Sequence, residues 1–492
     1  MRIVHIAAEM APIAKVGGLG DVVGGLSSVL SKQKGIDISV ILPKYKSLKT
    51  QYLKDLKIIK KNFKIFERSR WQVVNIYLAK VNGVQVYLIE DKKNYFSKKP
   101  KIYGYKYDVH RFLFFCKAVL EFLKADFRKI DIIHIHDWHT AVIAPLYKDI
   151  YSKNLKHKAK IVLSIHNLQY QGLCKPKDIK NLGFNGKYYL TKEKLKDPNR
   201  PKTLNLLKGG LVYSDIIIPV SENYAKEIMT KELGCNLEKI TQKYKKKIKG
   251  VLNGIDQNFW RPEKDKDIKY KYSSKSSLKK FIDAKNNNKK ELQKILNLDE
   301  DDKPLICSIG RLVSQKGPDL IKAAILESIK VGAQFVLLGS ALDKKITNSF
   351  KKLQKDLKKN KNVSLNFEHN EKLSHKFFSA ADFIIIPSLF EPCGLTQIIG
   401  FKYGVMPIVR ETGGLADTVF DLDDKTISKE KRNGFTFTKF LISSQTSTLK
   451  RAINFFKKDQ NEFYEIVHKN MKLDFSWEKT AKKYLTIYKK VL

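Results

Sequence analysis

The 492-residue chain predicts an α/β protein built from two doubly wound domains. Three observations carry that reading. Short, nearly continuous apolar runs alternate with helical patterns, as expected of parallel strands covered on both faces. The alternation occurs twice, with a polar stretch from about 262 to 300 between the two arrays. The length also exceeds what a single hydrophobic core normally serves.

In the first array, 2–8, 38–43, 85–90, 131–136, 160–166 and 215–221 read as strands. Between the first two, Val22, Val23, Leu26, Val29 and Leu30 share one helical face. The segment DKDIKYKYSSKSSLKKFIDAKNNNKKELQ is lysine-rich, and its front part reads as a connector. Alternation then resumes, with strands expected over 305–312, 334–339, 363–368, 382–388 and 407–411. The tail WEKTAKKYLTIYKKVL is an amphipathic helix with Ala481, Tyr484, Leu485 and Tyr488 on one side. The expected division is 1–258, a connector over 259–300, 301–474, and a terminal helix over 475–492. Two successive βα arrays imply Rossmann-like domains facing each other across a cleft.

Composition narrows the function classes. No apolar run approaches the roughly 20 residues that span a bilayer, and no cleavable targeting segment is expected. Five cysteines without CxxC spacing argue against a disulfide framework or structural zinc, and for a reducing, cytoplasmic setting. The net charge of +44 would suit a polyanion partner. However, the basic residues are overwhelmingly lysine and run along the whole chain, a pattern that compositional drift with a solvated surface also produces. No membrane and no specific nucleic-acid partner is expected.

The chemistry lies in the loops after the strands. EMAPIAKVGGLGDV places Lys15, Gly17 and Gly18 ahead of a helix, where amide groups can meet a phosphate; a simple tight turn fits as well. The spacing matches neither GxGxxG nor a P-loop. SIGRLVSQKG brings Arg311 and Lys316 to the start of the second array, and the scarce arginine favours bidentate grip. PSLFEPCGLTQ sets Glu391 and Gly394 at a strand end, where open α/β sheets bind ligands. IHIHDWHTA and SIHNLQYQG place Asp137, Trp138, His139, His166 and Asn167 at two further strand ends, polar groups beside an aromatic face that suit a carbohydrate. HxHDWH has no second ligand cluster at metal spacing, so no metal is expected.

Together these motifs resemble the family of bacterial glycogen synthases and plant starch synthases, retaining glucosyltransferases of the GT-B fold. KVGGLGDV, HDWH, HNLQYQG, NGID followed by Trp260, GRLVSQKG, EPCGLTQ, TGGLADTV and FSWEKTAKKYL occur in the family's order, nearly end to end. The resemblance implies a C-terminal helix returning to the first domain and transfer of glucose from ADP-glucose to the non-reducing end of a (1→4)-α-D-glucan. It implies that Lys15, Arg311 and Lys316 neutralise the donor diphosphate, with Gly17 and Gly18 supplying amides. Glu391 would hold the glucose hydroxyls, with Cys393, Gly394, Leu395 and Thr396 lining the donor pocket. His166 would sit beside the reacting carbon. Asp137, Trp138, His139 and Asn167 would shape the sugar side, with Asp21 and Tyr95 as further cleft residues. No cofactor beyond the nucleotide sugar is implied.

Val16 replaces the family's usual threonine, and Ile399 stands where other retaining relatives carry a second glutamate. The same reaction with UDP-glucose, and a catalytically silent glucan- or polyanion-binding protein, stay open as alternatives.

Overall fold

The computed structural model describes residues 1–126, 129–153, 157–341, 343–368 and 370–492. Two compact units result: Met1–Gly254 with Trp477–Leu492, and Ile255–Ser476.

The first unit contains β1 (Arg2–Ile6), β2 (Asp37–Pro43), β3 (Lys54–Glu67), β4 (Arg70–Val81), β5 (Val84–Asp91), β6 (Ile132–His136), β7 (Lys160–Ile165), the short pair β8 (Leu173–Cys174) and β9 (Leu204–Asn205), and β10 (Ile216–Pro219). Its large sheet runs β10-β7-β6-β1-β2-β5-β4-β3. The strands from β10 to β5 are parallel, while β4 and β3 add an antiparallel hairpin at one edge. Taken in chain order, the parallel strands lie 3-2-1-4-5-6, so the winding reverses between β1 and β6.

The hairpin was not expected. Lysine recurs along β3, and Leu56, Ile58 and Ile59 are exposed beside Lys54, Lys57 and Lys61, so no buried alternation marks the strand. Lysines and three register shifts against β4 suit an edge that must not pair with another chain.

The terminal helix Trp477–Val491 packs on the helix Gly18–Leu30. Trp477, Ala481, Tyr484 and Tyr488 join Ile3, Val22 and Leu26 in one buried cluster. Gly25 makes this approach possible, since a Cβ there would stand 2.1 Å from Trp477 Nε1. Gly24 does the same on its other side, where a Cβ would meet the Ala11 carbonyl at 2.4 Å.

The second unit contains β11 (Leu305–Ile309), β12 (Gln334–Leu338), β13 (Val363–Asn366), β14 (Phe383–Ile386), β15 (Met406–Arg410) and β16 (Phe435–Phe437). All are parallel in the order β13-β12-β11-β14-β15-β16, again 3-2-1-4-5-6. The winding reverses between β11 and β14.

The stretch 259–300, expected as a connector, is part of this unit. Its helix Leu278–Ile295 packs on Glu371–Ala380. Lys285 is fully buried and donates to the Ala381 carbonyl at 2.6 Å; desolvation brings its pKa down to about 7. Lys289 pairs with buried Asp382 at 2.5 Å. Asn288 exchanges hydrogen bonds with the backbone of Tyr270. The buried face of this helix is made of lysine, asparagine and glutamine beside a few apolar residues, which is why composition read as solvent-exposed.

Candidate active site

Ligands in doubly wound sheets bind at the carboxyl ends of the strands beside the reversal point. In each unit most of the expected residues lie on the loops beside that point.

In the first unit, β1 leads through a cis Ala11–Pro12 bond to the glycine loop. Lys15 Nζ lies 2.7 Å from Asp21 Oδ1, on the first turn of the helix that Gly17 caps. Gly18 opens that helix. Sequence reasoning passed over Glu9. Its buried carboxylate accepts the Val16 and Gly17 amides, the latter at 2.9 Å, and the Tyr103 hydroxyl at 2.5 Å. Burial raises its pKa, against the lowering effect of these hydrogen bonds. The Gly17 amide, expected to face the donor's phosphate, is therefore already committed to an internal anion. The 94-residue separation of Glu9 and Tyr103 hid this contact in the sequence.

At the ends of β6 and β7, Asp137 has a φ of 53° and a buried carboxylate. Its Oδ1 accepts the amides of His166 at 2.7 Å and Asn167 at 3.4 Å, tying the two loops together. Burial pushes its pKa up to about 7, only partly offset by those amides. His166 Nε2 lies 3.1 Å from His136 Nδ1, and its surroundings hold its pKa near 3 through desolvation.

Three expectations for the sugar side change. Trp138 does not offer an open aromatic face: it is 9% exposed, edge-on to Phe112, and packed on Gly172, where a Cβ would come within 2.4 Å of the ring. It supports the site from behind. His139 is equally buried, stacked obliquely on Tyr103, and burial lowers its pKa to about 3. Tyr95 turns its hydroxyl to Glu67 at 3.3 Å and His110 at 3.0 Å, in a cluster at the hairpin and not beside Asp137.

In the second unit, Lys316 forms an ion pair with Glu391, whose Oε2 also accepts the Ser388 hydroxyl at 2.8 Å. Glu391 is buried, and Arg311 is exposed and lines a small recess. Ser308, Gly310, Lys316, Ser388 and Thr396 also line that recess. Close backbone packing holds the parts together. Gly317 has a φ of 67°, and a Cβ there would meet the Pro387 carbonyl at 2.5 Å. Leu389 N–H donates to the Gln315 carbonyl at 2.8 Å. Gly394 has a φ of 71° and turns the chain towards the helix Thr396–Lys402, with Leu395 at its cap and Cys393 buried behind.

The role of TGGLADTV appears only in three dimensions. A Cβ at Gly413 would stand 1.9 Å from the Glu391 carbonyl, and one at Gly414 the same distance from the Cys393 carbonyl. Gly414 N–H donates to the Glu391 carbonyl at 3.0 Å. These glycines seat the acidic loop.

Comparison with known proteins places the chain in a family and a fold. Residues 2–243 match the family described as starch synthase catalytic domain, and 288–473 match glycosyl transferases group 1. A glycogen synthase of Protochlamydia amoebophila is 41% identical over 100% of this chain and 99% of its own length. Glycogen synthase 1 of Trichormus variabilis is 40% identical over 99% of each. The catalytic domain of starch synthase IV from Arabidopsis thaliana, bound to ADP and acarbose, superposes with a TM-score of 0.93 at 39% identity, covering 99% of both chains. A sucrose-phosphate synthase from Thermosynechococcus elongatus shares the fold alone, with a TM-score of 0.62 at 14% identity over 100% of this chain and 99% of its own.

Proposed function

Because the chain belongs to the glycogen synthase and starch synthase family of GT-B glucosyltransferases, we propose that it transfers glucose, with retention, from ADP-glucose to the non-reducing end of a (1→4)-α-D-glucan. The observation that carries this reading is the Lys316–Glu391–Ser388 group beside exposed Arg311 at the reversal point of the second sheet. A cation and an oriented carboxylate at one strand end suit a molecule that is phosphate at one end and sugar at the other.

In this proposal Arg311 meets the diphosphate through its planar fork. Lys316 neutralises the charge that builds as ADP leaves and holds Glu391 in place for the glucose hydroxyls. Lys15 is the cation of the glycine loop. Gly18 supplies an amide at the helix start, and Gly17 does so once Glu9 releases it. These fixed cations take the part that a metal plays elsewhere, so no metal is required.

Retention follows without a covalent intermediate. Glu9, Asp137 and Glu391 are each held by hydrogen bonds or an ion pair, and none is poised as a nucleophile. The anomeric C–O bond to phosphate breaks and the acceptor oxygen bonds the same face. The acceptor's proton passes to the departing phosphate oxygen. A trapped glucosyl-enzyme would overturn this.

All five cysteines are free, and among the described residues no helix is long and apolar enough to cross a membrane. The free cysteines support a reducing, cytoplasmic setting.

The test is a side-by-side assay with ADP-glucose and UDP-glucose on glycogen, for the wild type and Lys316→Ala. ADP-glucose should be the better donor. Lys316→Ala should lower kcat about 10²–10³-fold with glycogen binding retained. No transfer from either nucleotide would favour a silent glucan-binding protein, and unchanged turnover in the variant would remove Lys316 from the site.

A further inference from the structure

Behind His166 lies a set of buried side chains that the transfer reaction does not itself use. His166 Nε2 is 3.1 Å from His136 Nδ1, and His136 Nε2 is 3.1 Å from His5 Nδ1. His5 Nε2 is 3.4 Å from the Tyr488 hydroxyl, which lies 2.6 Å from His134 Nδ1. His134 Nε2 ends the series 2.8 Å from Ser164 Oγ. His5, His134, His136, Ser164 and Tyr488 are all fully buried. The buried members come from β1, β6, β7 and the C-terminal helix, and His166, just past the end of β7, is half-buried.

A neutral imidazole has one N–H and one lone pair, so each ring's tautomer dictates its neighbour's. Burial keeps these rings neutral: the pKa of His5 falls to about 3, and those of His134 and His136 lie well below the usual value. The series therefore has two polarities. In one, protons point from His166 inwards, and His134 donates to Ser164. The Ser164 hydroxyl hydrogen then has no acceptor among the described residues, at a fully buried position. In the other, Ser164 donates to His134, His134 to Tyr488, Tyr488 to His5, His5 to His136, and His136 to His166. Every buried donor in the series is then satisfied, and an unsatisfied buried donor is the costlier defect.

We propose that Ser164, His134, Tyr488, His5 and His136 are positioning residues that fix His166 as the Nδ1–H tautomer, so that it presents a hydrogen-bond donor to an oxygen of the reacting sugar or phosphate. The proposal rests on the reading that His166 adjoins the reacting carbon. It also gives the C-terminal helix a chemical link to the site through Tyr488, besides its packing.

The test labels histidine with ¹⁵N and reads the His166 ring nitrogens by NMR, in the wild type and in Tyr488→Phe and Ser164→Ala, alongside kcat, KM and thermal unfolding. The wild type should show His166 protonated at Nδ1. Tyr488→Phe keeps the ring but removes the hydroxyl joining His134 to His5, and Ser164→Ala removes the group that sets polarity. Both should give a mixed or reversed His166 tautomer. Both should lower kcat about tenfold, with donor KM nearly unchanged and the folded baseline retained. An Nε2–H tautomer in the wild type, or unaltered His166 signals and kcat in both variants, overturns the proposal. So does stoichiometric zinc in the purified protein, because His5, His134 and His136 stand close enough to share an ion that would replace these hydrogen bonds. His166→Ala separates the two readings: full activity there refutes the role of His166 in transfer, while the wild-type tautomer still reports on the series.

Discussion

Asp137 carries an energetic burden that its neighbours relieve only in part. The residue is 7% exposed, and its pKa rises from 3.8 to about 7 because burial disfavours the charged form. The sign follows from linkage. Between about pH 4 and pH 7 the folded chain holds a proton that the unfolded chain has released, so the wild type loses stability as pH rises through that window. Asparagine cannot ionise. Its Oδ1 can still accept the amides of His166 and Asn167, and it tolerates the positive φ of this position. Asp137→Asn should match the wild type near pH 4 and exceed it by about 2–4 kcal/mol near pH 8, from about three pK units at 1.36 kcal/mol each, discounted for relaxation. Urea unfolding at both pH values checks this. A variant that is less stable at pH 8 than the wild type would mean that the charge is needed where it lies.

Among the elements, legibility followed the range of the interaction that shapes each one. The buried parallel strands were readable because β1, β6, β7, β11 and β14 are mostly apolar on both faces, with a few histidines and serines between, which shows locally in the chain. The β3–β4 hairpin was not, since lysines and exposed apolar residues leave β3 without a buried alternation, and the helix Leu278–Ile295 was not, since its partner helix lies far along the chain and lysine fills both its exposed and its buried positions. The site divides the same way. Arg311, Lys316 and Glu391 stand at strand ends and were visible, whereas Glu9, Ser388, Gly413 and Gly414 act through contacts that no local pattern announces. Trp138 was misread because residue type suggests a sugar platform, and only the bare backbone of Gly172 shows that the ring is packed away. Gly25 is a similar case, and it can be tested. A Cβ there would meet three atoms of the Trp477 ring at 2.1–2.5 Å, and a ring fixed in a packed helix cannot yield. Gly25→Ala should cost about 2–3 kcal/mol by overpacking. Gly17→Ala, where a Cβ has nothing within 4 Å, should cost well under about 1 kcal/mol. Denaturant unfolding of both variants gives the comparison, and equal losses would refute the tight helix contact.

At the scale of the whole molecule, 94 basic against 50 acidic side chains leave an excess of 44 positive charges that the ion pairs cannot cancel. Several of those pairs are themselves weak, such as Arg2–Asp37 and Lys80–Asp55, whose partners are about half exposed or more. The better-shielded pairs, Lys289–Asp382 and Lys316–Glu391, are little touched by salt. Adding salt therefore sets two effects against each other: it weakens exposed pairs worth a few tenths of a kcal/mol each, and it screens repulsion among many uncompensated lysines. An excess of this size makes repulsion the larger effect, since unfolding lets like charges move apart. Raising NaCl from about 20 mM to about 500 mM shortens the screening length roughly fivefold. It should raise Tm by about 1–2 °C, as a gain of one or two kcal/mol does for a chain of this length. Calorimetry across that range reads the result directly. A fall in Tm would mean that the exposed pairs outweigh the excess, and that the lysines are spaced widely enough to cost the fold nothing.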